Sequence, residues 1–254
     1  HLSDKDELCG SAIYVAYLPH IRMYRTESLP VKMPSQVGSF GFQHFRKLNT
    51  SGDVKSLIGL SIVTGHYSNG QSGAAFNEGT IDGSIEGDAA YGEINDQTIL
   101  SDLLNRRDGN FSTNYTDFTL SYQAFKVEGN NLMNVHGFVI HLGYIKYHDQ
   151  FSGFLNFGGY SDEDIKRYGK HHIYVRTQLE TQLGKSRIVA DLKYSHSFSQ
   201  HPSVSSGRFE LGGKYFPFRN PQFGVSIGMI TGRDDLNYRF VDSGRIMYVG
   251  LCID

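Results

Sequence analysis

Apolar and polar residues alternate along most of this 254-residue chain. A period of two is typical of β-strands that present two different faces. Around residue 60, for example, Ile58, Leu60 and Ile62 share one face while Gly59 and Ser61 share the other. Helical periodicity is almost absent, so we predict an all-β chain of about ten strands, with twelve as the alternative. The predicted strands are Cys9–His20, Val37–Leu48, Val54–Asn69, Ser112–Glu128, Met133–His148, His171–Leu183, Ser186–Ser199, Gly207–Phe218, Phe223–Gly232 and Gly244–Cys252.

The connections between these strands alternate in length. Short links are Asn49–Asp53, Gly129–Leu132, Gly184–Lys185 and Arg219–Gln222, and longer ones are Ile21–Gln36, Gly70–Phe111, Asp149–Lys170 and Arg233–Ser243. Tight turns at one end and long loops at the other are typical of transmembrane β-barrels. The pattern therefore favours a closed antiparallel transmembrane β-barrel over a soluble β-sandwich or lipocalin-like barrel. We expect one domain, 1–254, with a long extracellular loop at 70–111 and a short helix near Asn95–Asn105.

Composition and charge narrow the picture further. The net charge of −2 and the absence of a block of like charge argue against a nucleic-acid partner. The mean hydropathy of −0.35 suits a barrel, because only alternate residues of a spanning strand face lipid. Two cysteines are too few for a zinc motif. The first and last strands would pair to close a barrel in an oxidising periplasm, which makes a Cys9–Cys252 disulfide a hypothesis that the sequence leaves open.

The clearest chemical signal is the run from His66 through Tyr67, Ser68 and Asn69 to Gly70. Residues two apart on a strand point to the same face. His66 and Ser68 can therefore approach each other as a general base and its nucleophile must. Asn-Gly at a strand end is also ordinary turn chemistry. A second His-x-Ser, His201-Pro202-Ser203, lies in a loop and we interpret it as chance.

Here the sequence resembles the outer-membrane phospholipase A family. The order of strand, tight turn, strand and His-x-Ser-Asn-Gly is followed by Pro34–Phe40, Asn49–Asp53 and Leu57–Gly70, and the last strand, from Asn237-Tyr238 to Tyr248-Val249-Gly250, is also similar. The resemblance implies that Ser68 is the nucleophile, His66 the base and Gly70 an oxyanion-hole amide. It implies that an asparagine on the next strand orients the imidazole, and Asn114 is the best counterpart.

The resemblance also implies a bacterial outer-membrane location, membrane phospholipids as substrate, a homodimer and a calcium cofactor. The positions that supply calcium ligands in the family correspond to Gln71 and Asn110, and both residue types depart from the family's pattern. Carbonyl ligands near these two residues would still place the ion beside the oxyanion. The loop at 70–111 is also far longer than in the family.

Strand parity supports an enzyme that acts on lipid. His66 and Ser68 fall in register with Ile62, and Asn114 with Phe118, on the predicted lipid-facing side. Two alternatives stay open: a lipid A deacylase, which would pair its His with a Glu, and a non-enzymatic structural or binding barrel. Other candidates are scattered histidines without metal-ligand spacing and an acidic stretch of the long loop, namely His44, His136, His141, His148, His171, His172, Glu78, Asp82, Glu86 and Asp88.

Overall fold

The computed structural model describes residues 9–23, 31–48, 54–127, 135–149, 164, 167–218, 223–235 and 241–253. Within them, ten strands form one antiparallel sheet in which each strand pairs with its neighbours in chain order. This confirms the predicted all-β class and strand number. The strands are β1 Cys9–Met23, β2 Val31–Leu48, β3 Val54–Ser68, β4 Ser112–Val127, β5 Val135–His148, β6 His171–Leu183, β7 Ser186–Phe198, β8 Gly207–Phe216, β9 Phe223–Arg233 and β10 Ser243–Ile253.

Two short helices, α1 at Ile85–Gly92 and α2 at Leu100–Leu103, lie in the connection from β3 to β4. The short helix predicted within Asn95–Asn105 is present as the single turn of α2, whereas α1 was not predicted. The longer helix starts earlier because Ser84 caps it, accepting a hydrogen bond from Gly87 N at 3.1 Å. Neither of these helices has the length and apolar character needed to cross a membrane.

The two faces of the sheet differ in chemistry. The outer face, defined by Ile58, Leu60 and Ile62 of β3 and the residues in register with them, leaves large apolar side chains 37–46% exposed at these three positions. The inner face carries paired charges, such as Arg176 Nε to Asp191 Oδ2 at 2.7 Å. A water-soluble sheet normally buries its apolar face. In this sheet the apolar face is the outer, exposed one, and the face with the paired charges is the inner one.

The sheet is not closed, which corrects the predicted closed barrel. Within the described residues, β1 pairs only with β2 and β10 pairs only with β9. The structure contradicts the disulfide hypothesis, since Cys9 and Cys252 are both free thiols. The register gives a reason. Cys9 lies on the outer face beside Arg46, whereas Cys252 falls between the outward Leu251 and Ile253 and so lies on the inner face.

The described parts of the long connections lie at one end of the strands, which we call the loop end. Tyr67 and Tyr147 of the strands belong to the same buried apolar cluster as Phe76, Leu100 and Phe111 of the long loop. Tyr67 Oη of β3 donates a hydrogen bond to the carbonyl oxygen of Asp235, just beyond β9, at 3.0 Å. This contact shows that the sheet curls enough for strands three and nine to meet at the loop end.

Candidate functional site

The sheet register brings the predicted site residues together at the loop end of the outer face. His66 of β3 lies directly opposite Asn114 of β4, and Ser68 lies opposite Ser112. Because side chains alternate along a strand, His66, Ser68 and Asn114 all fall on the outer face in line with Ile62 and Phe118. Antiparallel pairing of consecutive strands is what makes residues 48 positions apart into neighbours.

His66 and Asn114 are joined by a hydrogen bond of 2.8 Å between Nδ1 and Oδ1. An amide oxygen can only accept, so the imidazole must carry its proton on Nδ1 in this contact. In the neutral ring the other nitrogen, Nε2, is then the one that can accept a proton. Asn114 is fully buried, and its Nδ2 has no hydrogen-bond partner within the described residues. The contact between Asn114 and the imidazole that the sequence predicts is thus present.

Ser68 is the last residue of β3 and shares the outer face with His66, as predicted. It is half-buried, and so is the imidazole. The hydrogen bond from Ser68 Oγ to His66, which proton transfer requires, stays a prediction. Such bonds are often long without substrate and shorten when it binds.

Asn69 and Gly70 form the neck of the long loop, just beyond Ser68. The buried Asn69 side chain accepts hydrogen bonds from Phe111 N at 2.9 Å and Gln71 N at 3.3 Å, and it donates to Gly109 O at 2.7 Å. The backbone amide of Asn69 donates to Phe111 O at 3.0 Å. One asparagine therefore ties together the two ends of a connection that runs from β3 to β4. The sequence carried no signal for this role beyond an Asn-Gly turn.

Gly70 follows in the left-handed region, with a φ of +65°, where a glycine has no steric penalty. It is exposed, and its amide donates no hydrogen bond in the described part of the chain. An unpaired amide held one residue beyond a fixed asparagine can donate to a ligand oxygen. This geometry suits the oxyanion-hole role that the resemblance assigns to Gly70.

An apolar groove of about 620 Å³ adjoins His66 and Ser68 on the outer face. It runs across β2 and β1 between Tyr17, Gly38 and Phe40. Gly38 sits directly beside His66 in the register, and a Cβ added there would meet nothing within 4 Å. The absence of a side chain at Gly38 therefore keeps the space beside the imidazole open.

The predicted calcium ligands lie at the same neck. Asn110 N donates to Gly73 O at 2.7 Å, and Asn110 Nδ2 donates to Asp82 Oδ2 at 2.6 Å. Gln71 N is held by Asn69, as described above. Asp82 thus brings one carboxylate close to Asn110. The described residues contain no cluster of three or more His, Cys, Asp or Glu that could hold a metal ion, so they fit a calcium site only in part.

The second His-x-Ser motif is a structural contact. His201 Nδ1 lies 2.9 Å from Ser203 Oγ, and His201 Nε2 lies 2.8 Å from the carbonyl oxygen of Asn95. Ser203 Oγ also accepts from Leu100 N at 3.2 Å. His201 is buried, and these bonds fasten the loop between β7 and β8 to the long loop. The other histidines predicted as weak candidates form side-chain hydrogen bonds with neighbours on the sheet: His44 with Ser11, His136 with Thr181, His141 with Ser121, His148 with Thr116, His171 with Tyr144 and His172 with Arg233.

A buried ionic network inside the loop end was not foreseen from the sequence. Arg233 is only 2% exposed, and its Nε lies 3.0 Å from Asp235 Oδ1. Arg208 Nε lies 3.3 Å from Asp235 Oδ2 and 2.9 Å from Glu210 Oε1. Burial alone would raise the pKa of Asp235, but the Arg233 and Arg208 guanidinium groups outweigh it and hold that pKa below its usual range.

Comparisons with known proteins do not assign this chain to a family. No protein-family model matches the chain, and no curated protein does either. A solved structure described as "Asymmetric conductivity of engineered proteins" is 10% identical, with 96% of this chain and 98% of that chain covered, at a TM-score of 0.25. A likeness at that score carries no argument about fold or function. What the fold and the site define is an open antiparallel all-β protein with a Ser, His and Asn row on its apolar face.

Proposed function

We propose that this chain is a serine esterase of the bacterial outer membrane that hydrolyses acyl esters of phospholipids, in the manner of outer-membrane phospholipase A. The observation that carries the proposal is the His66–Asn114 hydrogen bond on the same outward, apolar face as Ser68. A neutral orienting residue on that face suits an enzyme whose substrate is the membrane. A carboxylate partner would have favoured the lipid A deacylase alternative, and here the Nδ1 partner is an amide.

The proposed reaction follows from the placement of these groups. Ser68 Oγ attacks the acyl carbonyl carbon while His66 Nε2 takes its proton. The Gly70 amide donates to the oxygen that becomes negatively charged. His66 then returns the proton to the leaving alcohol, and water attacks the acyl-enzyme by the same route. Asn114 holds the imidazole in the tautomer in which Nε2 is the proton-accepting nitrogen, without adding a charge. The groove beside Gly38 accommodates an acyl chain.

The distribution of charge on the strands supports a membrane location. All four acidic residues of the strands fall on the inner face by register: Asp117, Glu180, Asp191 and Glu210. The charged residues on the outer face of the strands, where side chains are described, are all cations and lie near the two ends of the sheet: Arg46, Lys126, Lys146 and Arg245. Long basic side chains at the edges of an apolar band suit lipid headgroup contacts, whereas carboxylates there would be repelled.

Calcium and a homodimer remain parts of the proposal that rest on the resemblance. Calcium held by carbonyl oxygens near Gln71 and Asn110 would add positive charge near the oxyanion, and Asp82 would supply a carboxylate. No step of the reaction above depends on it.

The proposal is tested by measuring fatty-acid release from phosphatidylcholine in mixed detergent micelles. Ser68→Ala is expected to abolish release. Ser112→Ala is the matched control, because Ser112 lies opposite Ser68 on the same face and has no role in the reaction. A fluorophosphonate probe should label the unmodified protein at Ser68 and fail to label Ser68→Ala. Full activity in Ser68→Ala, or labelling at another serine, would refute the assignment.

A further inference from the structure

The groove beside His66 contains an opening of a single side chain at Gly38. This glycine lies on the outer face of β2, between Tyr17 of β1 and His66 of β3 in the register. Its neighbours on the same face along β2 are Gln36 and Phe40, and both line the groove. The opening is therefore one side-chain position wide in each direction, and the imidazole forms one of its walls.

The protein itself gives no steric reason for a glycine at this position. Glycines of the inner face lie under aromatic rings: a Cβ at Gly59 would come within 2.5 Å of the Phe45 ring, and one at Gly41 would meet Tyr14. The backbone of Gly38 is extended and not left-handed, and its pairing with both neighbouring strands runs unbroken through it. A glycine inside a strand otherwise marks a place where another group approaches closely.

The walls of the groove indicate what kind of group this is. Ser68 lies at the loop end of the groove, beyond His66, while Phe40 and Val15 lie on the other side, toward the apolar band of the sheet. Phe40 and Val15 are 51% and 80% exposed. The groove therefore suits a ligand that has its reactive end at Ser68 and an apolar tail that leads into the bilayer.

We infer that Gly38 determines substrate specificity and selects an unbranched acyl chain. The methylenes next to the ester carbonyl lie over Gly38, and the rest of the chain passes Phe40 and Val15. The inference rests on the proposed function and names the acyl chain that the site accepts. A chain with a substituent on its third carbon is wider than one side-chain position, so it meets His66 or Tyr17. The site thus favours the straight chains of glycerophospholipids over the branched chains of lipid A.

The first test compares substrates that differ in branching. Dipalmitoyl phosphatidylcholine has straight chains, and diphytanoyl phosphatidylcholine carries a methyl group on the third carbon of each chain. In mixed micelles, the unmodified protein should hydrolyse the straight-chain lipid with a kcat/KM about tenfold higher, the lower end of the effect of one misplaced methyl group in an apolar pocket. Equal values for the two lipids would overturn the inference.

The second test fills the opening. Gly38→Leu should lower kcat/KM for dipalmitoyl phosphatidylcholine about tenfold relative to p-nitrophenyl acetate, whose acyl group is too short to reach the opening. Gly38→Ala adds a single methyl group in open space and should show a smaller shift in the same direction.

Gly213→Leu is the matched control. Gly213 lies on the outer face of β8, outside the groove, and a Cβ added there would meet only Val189 O, at 3.8 Å. Both variants place a leucine on the apolar face, so both suit lipid equally well. Gly213→Leu should keep the ratio of the unmodified protein. The same ratio in Gly38→Leu, or an equal shift in Gly213→Leu, would refute the role of Gly38.

A binding measurement separates this inference from the proposed function. If the unmodified protein hydrolyses no ester, the serine esterase proposal fails, and the opening is tested by counting palmitic acid adducts with native mass spectrometry in neutral detergent. Retention that is lost in Gly38→Leu and kept in Gly213→Leu would support an acyl-chain site at Gly38. Equal retention by all three proteins would overturn it.

Discussion

Replacing Asn69 with alanine should separate catalysis from substrate binding at this site. The change removes three side-chain hydrogen bonds, to Gly109 O, Phe111 N and Gln71 N. At about 1 kcal/mol for each bond, the loop neck should lose roughly 3 kcal/mol of local stability. Asn69 is not among the residues that line the groove, so the acyl chain should bind as before.

The expected kinetic effect follows from the Gly70 amide, whose position depends on its neighbour. A single oxyanion-hole donor contributes about 10²–10³ to kcat. Asn69→Ala should therefore lower kcat for phosphatidylcholine in mixed micelles about 10²-fold, with KM changed less than about threefold. Hydrogen exchange at the Phe111 amide should become faster in the same variant, since its acceptor is lost.

Asn95→Ala is the matched control, because Asn95 also holds a turn of the long loop through its side chain, accepting from Gln97 N at 3.0 Å. It is exposed and distant in sequence from the neck, and its removal should leave kcat unchanged. The reasoning is refuted if Asn69→Ala exchanges its Phe111 amide faster yet keeps the kcat of the unmodified protein. It would also fail if Asn95→Ala lowered kcat as much.

Three further predictions concern single groups. Asn114→Ala should lower kcat less than Ser68→Ala does, because a neutral orienter fixes geometry while the serine forms the bond; equal losses in the micelle assay would contradict this. The pKa of Asp235 is lowered in the folded protein, so its contribution to stability is complete above the ordinary carboxyl pKa of about 4 and is lost as pH falls through the lower folded value. In acid titrations followed by near-ultraviolet circular dichroism, Asp235→Asn should start from a lower stability than the unmodified protein and lose less stability over that pH range. The same slope of stability against pH in both proteins would contradict this prediction. Chelation with EGTA should lower kcat and added calcium should restore it, whereas an unchanged rate would remove calcium from the proposal.

The strands were predictable because each carries its two faces in its own sequence. Ile58, Leu60 and Ile62 identify the outer face of β3 without reference to any other strand. The predicted start of β2 at Val37 was late by six residues, since the strand begins at Val31 and continues through Pro34. Asn114 could be found because consecutive antiparallel strands are neighbours and parity fixes its face.

Features that depend on distant pairing were not predictable. The partners of Asn69 lie about forty residues away in the long loop, so nothing near Asn69 indicates that it closes the neck. The Arg233–Asp235 network lies inside a curled sheet. Because the curvature of the sheet depends on all of its strands, no single segment of the sequence predicts this network. For the same reason, the number of strands alone does not predict whether the sheet closes. Closure depends on the tilt and stagger accumulated from β1 to β10.

The apolar outer face and the outer edges of β1 and β10, which are unpaired in the described residues, require opposite surroundings. A bilayer would cover side chains such as Val15 and Leu251, which are 80% and 87% exposed. The same bilayer could not satisfy the unpaired backbone groups of β1 and β10, each of which costs several kcal/mol in hydrocarbon. Water would satisfy those groups and leave the apolar face bare. Both demands are met together only if backbone from another strand pairs with these edges within the bilayer. Because Val15 and Tyr17 of β1 line the groove beside His66, whatever pairs with β1 would also border the proposed acyl-chain site.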